Sequence, residues 1–186
     1  MSTTAPSAQA RSITAPAETA HGPVVAELAA DLVRRAEEDR QLTLQAQRTG
    51  TPNCRRLLAQ CRDHNAEALM TVVGRHGWPT AELVGDEAST AALMILLHTP
   101  DLGFQLACRD LIAEAAAAGG CPAVHHAFIA DHCAVELGEP QFYGTRVDAE
   151  TLRPYAIRHP QTLDERRRDV GLAPLSEQMR TLHHCT

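Results

Sequence analysis

From Val24 onward the apolar residues fall at Val24, Val25, Leu28, Leu32, Val33 and Ala36, with charged residues between them. That spacing is the period of a helix with one buried stripe. Gly50-Thr51-Pro52 ends the stretch, since glycine and proline interrupt helical backbone. A second helical tract runs through Leu57, Leu58, Cys61, Leu69, Met70 and Val73 to Gly77. Asp63-His64-Asn65 is either a break inside it or a cap on its second half. Thr80 caps a short turn over 81–84, and Asp86 begins a helix that reaches His98. The last turns of that helix are apolar on every side, from Leu93 to Leu97, which predicts a central element. Asp101 caps a helix from Leu102 to Ala118, closed by Gly119-Gly120. Pro122 sits at the first position of another, running to Leu137 and stopped by Gly138.

Beyond Gly138 the helical pattern weakens. Pro140 to Thr145 reads as extended chain, with Leu152–Ile157 as its partner in a hairpin. Thr162 caps a small helix to Val170, Pro174 to Thr181 forms another, and His183-His184-Cys185 is a loose tail. Residues 1–22 are Ala, Ser, Thr and Pro with little apolar content, and read as a disordered tail. Ala occurs 31 times against ten Val and five Ile, which favours helix over strand. The expected fold is all-α: a single helical domain over 23–182, with a small irregular or β-hairpin C-terminal lobe over about 139–182.

Composition narrows the chemistry. All 17 basic side chains are arginine, and there is no lysine. That excludes a Schiff base to pyridoxal phosphate, a P-loop lysine and a Ser-Lys nucleophile pair. GC-rich codon usage explains the bias most simply. Residues 86–141 carry eight acids against Arg109 alone, a net of −7. So acidic a segment, with 3% aromatics, argues against a nucleic-acid groove. The mixed run Arg34–Arg35–Glu37–Glu38–Asp39–Arg40 reads as a solvated helix face. Ala91–Leu97, the longest apolar run, is too short to span a bilayer, so no membrane partner is expected. The first residues lack the apolar stretch of a secretory signal. Six cysteines with no CxxC then point to reduced thiols in a cytoplasm.

Chemistry is sought where a polar side chain occupies an apolar position. The helix from Pro122 has the stripe Val124, Phe128, Asp131, Val135, which puts Asp131 in mid-face. A buried carboxylate must be paired, hydrogen-bonded or protonated. His98 ends the most hydrophobic helix, where the helix dipole favours an imidazolium. It is either an acid/base group on a pocket floor or a C-terminal cap. Trp78, the only tryptophan, is either a pocket wall or a core anchor. His125, His132 and Glu136 share a face that reads as partly exposed; three metal ligands are the lesser alternative, since neither ExxH nor HExxH occurs. Cys108 and Cys133 fall in apolar surroundings and read as inert, and no GxSxG or glycine-rich phosphate loop is present.

Gly77-Trp78-Pro79-Thr80, Val84-Gly85, His98, Asp131, Pro140-Gln141-x-Tyr143-Gly144-Thr145, Arg167 and Gly171-Leu172-x-Pro174-Leu175 follow one another in a distinctive order. Over roughly residues 24–180 the chain resembles a family of uncharacterised bacterial proteins, classed as a domain of unknown function. Members of that family carry Gln where this chain has Leu97, Arg where it has His132, and Gln where it has Arg146. The resemblance implies a common site without naming a reaction.

Gln141, Tyr143 and Thr145 alternate, so in an extended strand they project to one side. The expectation is a cofactor-independent small-molecule pocket working by acid/base chemistry: isomerisation, dehydration, cyclisation or hydrolysis. His98 shuttles a proton, Asp131 orients it, and Tyr143 donates to a developing oxyanion. Trp78, Gln141, Thr145 and Arg146 bind the ligand, and Arg146 or Arg167 neutralises Asp131. The alternatives are a non-catalytic accessory or interaction module and a His-rich metal-binding protein.

Overall fold

The computed structural model describes residues 21–184. Residues 1–20, most of the expected tail, lie outside the described residues. Eight α-helices follow in order among the described residues: α1 (His21–Thr49), α2 (Pro52–His76), α3 (Ala81–Val84), α4 (Asp86–Leu97), α5 (Leu102–Ala117), α6 (Ala123–Glu136), α7 (Leu163–Asp169) and α8 (Leu175–His184). The fold is all-α.

Local chemistry sets most of the boundaries. Thr51 Oγ1 accepts from the Cys54 amide at 3.3 Å and Pro52 opens α2. Thr80 Oγ1 accepts from Leu83 N at 3.3 Å, and Asp101 Oδ1 from Phe104 N at 3.0 Å. Gly77 (φ 72°) and Gly85 (φ 83°) end α2 and α3 in backbone that side-chain-bearing residues avoid. α2 runs unbroken through Asp63-His64-Asn65. Asn65 is buried there because it bridges to α1: its Nδ2 donates to Arg35 O, and its Oδ1 accepts from Arg35 Nη1, each at 3.3 Å. The first helix begins at His21, two residues inside the expected tail, and the backbone of α8 takes in His183 and His184.

α4 is the central element, packing against α1, α2, α3 and α6. Its Ala92, Leu93, Ile95 and Leu96 join Leu32, Leu69, Trp78, Cys108, Ile112 and Ile129 in one buried cluster. α5 pairs with α6 and closes the end of α4, where Gln105 Nε2 donates to Leu96 O (3.1 Å) and Thr99 O (2.8 Å). Those carbonyls belong to the turn that carries His98, so a buried amide holds that turn in place.

The C-terminal lobe forms no strand among the described residues. Two single bridges, Gln141 with Ile157 and Val147 with Pro154, stand where a hairpin was expected. The reason lies at Gly144 (φ 69°), whose left-handed backbone bends the chain and removes the strand alternation of Gln141, Tyr143 and Thr145. Thr162 stands at the N-cap of α7, but its side chain makes no capping hydrogen bond. It ends a 3-10 turn (Pro160–Thr162), and its Oγ1 accepts from Arg166 Nη1 at 2.6 Å.

Candidate functional site

Asp131 is fully buried on α6, as its place in an apolar pattern required. The chain around Gly144 wraps it. Its Oδ1 accepts from the amides of Phe142 (2.7 Å) and Tyr143 (3.0 Å). Its Oδ2 accepts from the amides of Tyr143 (3.1 Å) and Thr145 (2.9 Å) and from Thr145 Oγ1 (3.0 Å). These donors occupy the carboxylate, so its charge is met by peptide dipoles. Neither Arg146 nor Arg167 hydrogen-bonds to it, although its charge favours the charged form of the buried Arg167 guanidinium. The link to a cation runs through one peptide unit: Tyr143 N–H donates to Asp131, and Phe142 O, on the same unit, accepts from Arg166 Nε (3.0 Å) and Nη2 (2.9 Å). A guanidinium at the carbonyl end and a carboxylate at the amide end both align with that dipole.

The neighbouring polar groups are also turned inward. Gln141 Nε2 donates to Arg146 O (3.0 Å) and Tyr155 O (3.1 Å), and its Oε1 accepts from Arg146 N (2.9 Å). Arg167, 1% exposed, donates to Tyr143 O, Ala173 O and Gln178 Oε1, each at 2.6 Å. Asp131 ties the lobe to α6 through the 142–145 backbone and Thr145, and Gln141, Arg166 and Arg167 hold the segments of the lobe to one another.

His98 lies elsewhere. Its Nδ1 meets Oδ1 of Asp39 on α1 at 3.1 Å. Asp39 is 2% exposed, and its carboxylate also receives Thr43 Oγ1 (3.1 Å) and Arg62 Nε (3.3 Å). Burial alone would push the Asp39 carboxyl up. Hydrogen bonds and charge from His98 and Arg62 outweigh burial and hold the group below the usual carboxylate range. In the neutral form of the His98 ring, an ionised Asp39 holds the proton on Nδ1 and leaves the Nε2 lone pair free. His98 is half-buried, and its Nε2 has no protein partner among the described residues.

Both residues line a cavity of about 400 Å³ between α1 and α4. Val33, Ala36, Leu44, Ala91, Met94 and Ile95 give it apolar walls, with Thr43, Gln47 and Thr90 as polar points and Glu37, Arg40 and Glu87 as charged ones. Asp39 carried the signal that singled out Asp131. It falls seven residues after Leu32 on the stripe of α1, but the charged run around it masked the register. That run is therefore not wholly solvated.

The remaining expected site residues are dispersed. Trp78 sits in the buried apolar cluster. Tyr143 lines a second cavity of about 280 Å³ beside α5 and α6, shared with Arg109 and His126. Arg146 Nη1 lies 2.8 Å from His132 Nδ1, and its Nη2 lies 3.5 Å from Glu136. A guanidinium has only donors, so His132 Nδ1 accepts and that imidazole is neutral. The two positions read as departures from the expected motif, 132 and 146, thus bond to each other. His125 and His132 are both buried, against the partly exposed face expected for them. Burial pushes His125, His126 and His132 down, with Arg146 adding to the effect at His132 and Arg109 at His126. No three His, Cys, Asp or Glu side chains among the described residues gather to hold a metal ion. Cys108 is pushed up to about 12 by burial, and Cys133 is raised too, so both are inert thiols. No helix among the described residues is long and apolar enough to cross a membrane.

No curated protein and no solved structure matches the chain. A family described as of unknown function matches residues 26–186. The chain, lobe and helices alike, belongs to that family, DUF6624.

Proposed function

We propose that this protein binds a small, largely apolar molecule in the α1/α4 cavity and moves a proton on it without a cofactor. One observation carries the reading: a half-buried imidazole is oriented by a buried carboxylate beside an apolar cavity and keeps one nitrogen free. His98 Nε2 takes a proton from the ligand, Asp39 balances the imidazolium as it forms, and Arg62 and Thr43 hold Asp39 in place. The same imidazolium then returns the proton to another atom, as an isomerisation or dehydration needs. Asp131, which the sequence pairs with His98, acts here as the anchor of the C-terminal lobe. The five described cysteines are free thiols, which fits a bacterial cytoplasm.

A second reading has its own support. The internal bonding of Asp131, Gln141, Thr145 and Arg167 is what a non-catalytic accessory module would use to stay rigid.

The test needs no named substrate. Purified protein is incubated in D2O with a panel of small carbonyl and hydroxy compounds, and proton NMR follows C–H exchange or conversion. At least one compound should respond, and His98→Gln should slow it by about 10²–10⁴-fold, the usual worth of a positioned acid/base. Full turnover in His98→Gln would rule this role out, and an unreactive panel favours the accessory module.

A further inference from the structure

Arg109 is the only arginine in the acidic stretch 86–141. It lines the second cavity, of about 280 Å³, with His126, Ala130, Glu139, Phe142 and Tyr143. The cavity is separate from the α1/α4 site, and neither His98 nor Asp39 lines it.

Its polar groups have unused hydrogen-bonding capacity. Asp110 Oδ1 takes Arg109 Nε at 2.9 Å and Nη2 at 2.8 Å, which leaves Nη1 free. The Tyr143 hydroxyl and both ring nitrogens of His126 have no partner among the described residues. Guanidinium, phenol and imidazole all donate, so the group they suit is an acceptor, and the arginine favours an anionic one. Ala130 and the ring of Phe142 supply an apolar wall beside them. The charge around the cavity limits the anion. Glu139 is also at its edge, 3.7 Å from Arg158, and Asp110 flanks the guanidinium. Each carboxylate is paired with an arginine, Asp110 with Arg109 and Glu139 with Arg158, so the surroundings carry little net charge and suit a single negative charge better than a dianion such as phosphate.

The geometry points to a binding site for a small monocarboxylate with an aromatic or alkyl body. Its carboxylate takes Arg109 Nη1 and the Tyr143 hydroxyl, with His126 as a third donor, and its body lies against Ala130 and Phe142. The volume sits just below the range of drug-sized pockets, roughly 300–1,000 Å³, so the ligand is of benzoate size.

Benzoate is the probe, with benzyl alcohol as its uncharged counterpart and inorganic phosphate as the dianion. Each is titrated into the full chain, and the amide shifts of Phe142, Tyr143 and Thr145 are read by NMR. Benzoate should saturate. Arg109→Gln should weaken it roughly tenfold or more and Tyr143→Phe several-fold, in keeping with a charged and a neutral hydrogen bond. Tyr143→Phe keeps the ring and the backbone amide that holds Asp131, so it decides the matter even if Arg109→Gln does not fold. His98→Gln should bind benzoate as the natural chain does, which separates this site from the α1/α4 cavity. Absence of saturation, equal response to benzyl alcohol, tighter binding of phosphate, or benzoate binding untouched by Tyr143→Phe would overturn the assignment.

Discussion

Two buried aspartates do opposite work because their surroundings differ. Asp131 is surrounded by amides that belong to one loop, so it fixes that loop and has nothing left to offer a ligand. Asp39 faces an imidazole with a free second nitrogen at a cavity, so its charge can act on something else. Asp131→Asn replaces one acceptor oxygen by an NH2 that confronts N–H donors. It should lower stability by about 2–4 kcal/mol, as the loss of charged hydrogen bonds at a buried group does. Thermal unfolding reads this directly, since each kcal/mol is worth about 2–4 °C in a chain of this size. An unchanged midpoint would mean the cradle holds little. Sequence pattern revealed Asp131 because valine and phenylalanine flank it at helical spacing. Asp39 obeyed the same rule from Leu32 and was hidden by the arginines and glutamates on either side.

At the scale of elements, the caps and glycines were legible and the lobe was not. Helix starts at Thr51, Thr80 and Asp101 are local events, decided by one side-chain oxygen and one amide. α6 shows where periodicity fails. The stripe put Val124, Phe128, Asp131 and Val135 inside; Asp131 is buried, yet Phe128 is exposed, and His125, Ile129, His132 and Cys133 are buried off the stripe. α6 lies between α5 and α4, with the 141–146 loop over Asp131, so it buries a broader face than residue size indicates. The lobe is shaped by bonds across long separations, such as Arg166 to Phe142 and Arg167 to Tyr143, which no local pattern encodes. Gly144 is its pivot. A Cβ there would meet Ile157 Cδ1 at 3.3 Å and force a left-handed side-chain residue. Gly144→Ala should therefore cost about 1–3 kcal/mol, measurable as a shift in the urea midpoint. A neutral or stabilising effect would show that the bend is relaxed.

For the whole molecule, the buried histidines of α6 set the response to acid. His125, His126 and His132 all sit below the ordinary imidazole value of 6.5 in the fold, chiefly through burial. The unfolded chain therefore takes up these protons first. The stability they give is present above about pH 6.5 and is lost as pH falls through their folded values. Asp39, lowered from 3.8, adds a further loss in stronger acid. The urea midpoint should fall steadily from pH 7 to pH 5, and a flat or rising midpoint over that range would contradict this burial. The central claim is that Asp39, not Asp131, orients His98. A long-range proton–nitrogen NMR spectrum of the imidazoles at neutral pH tests it most directly. In its neutral form the His98 ring of the natural chain should carry its proton on Nδ1, and Asp39→Asn should disturb that tautomer while Asp131→Asn leaves it in place. A His98 protonated on Nε2, or one that answers to Asp131→Asn and ignores Asp39→Asn, would contradict the account.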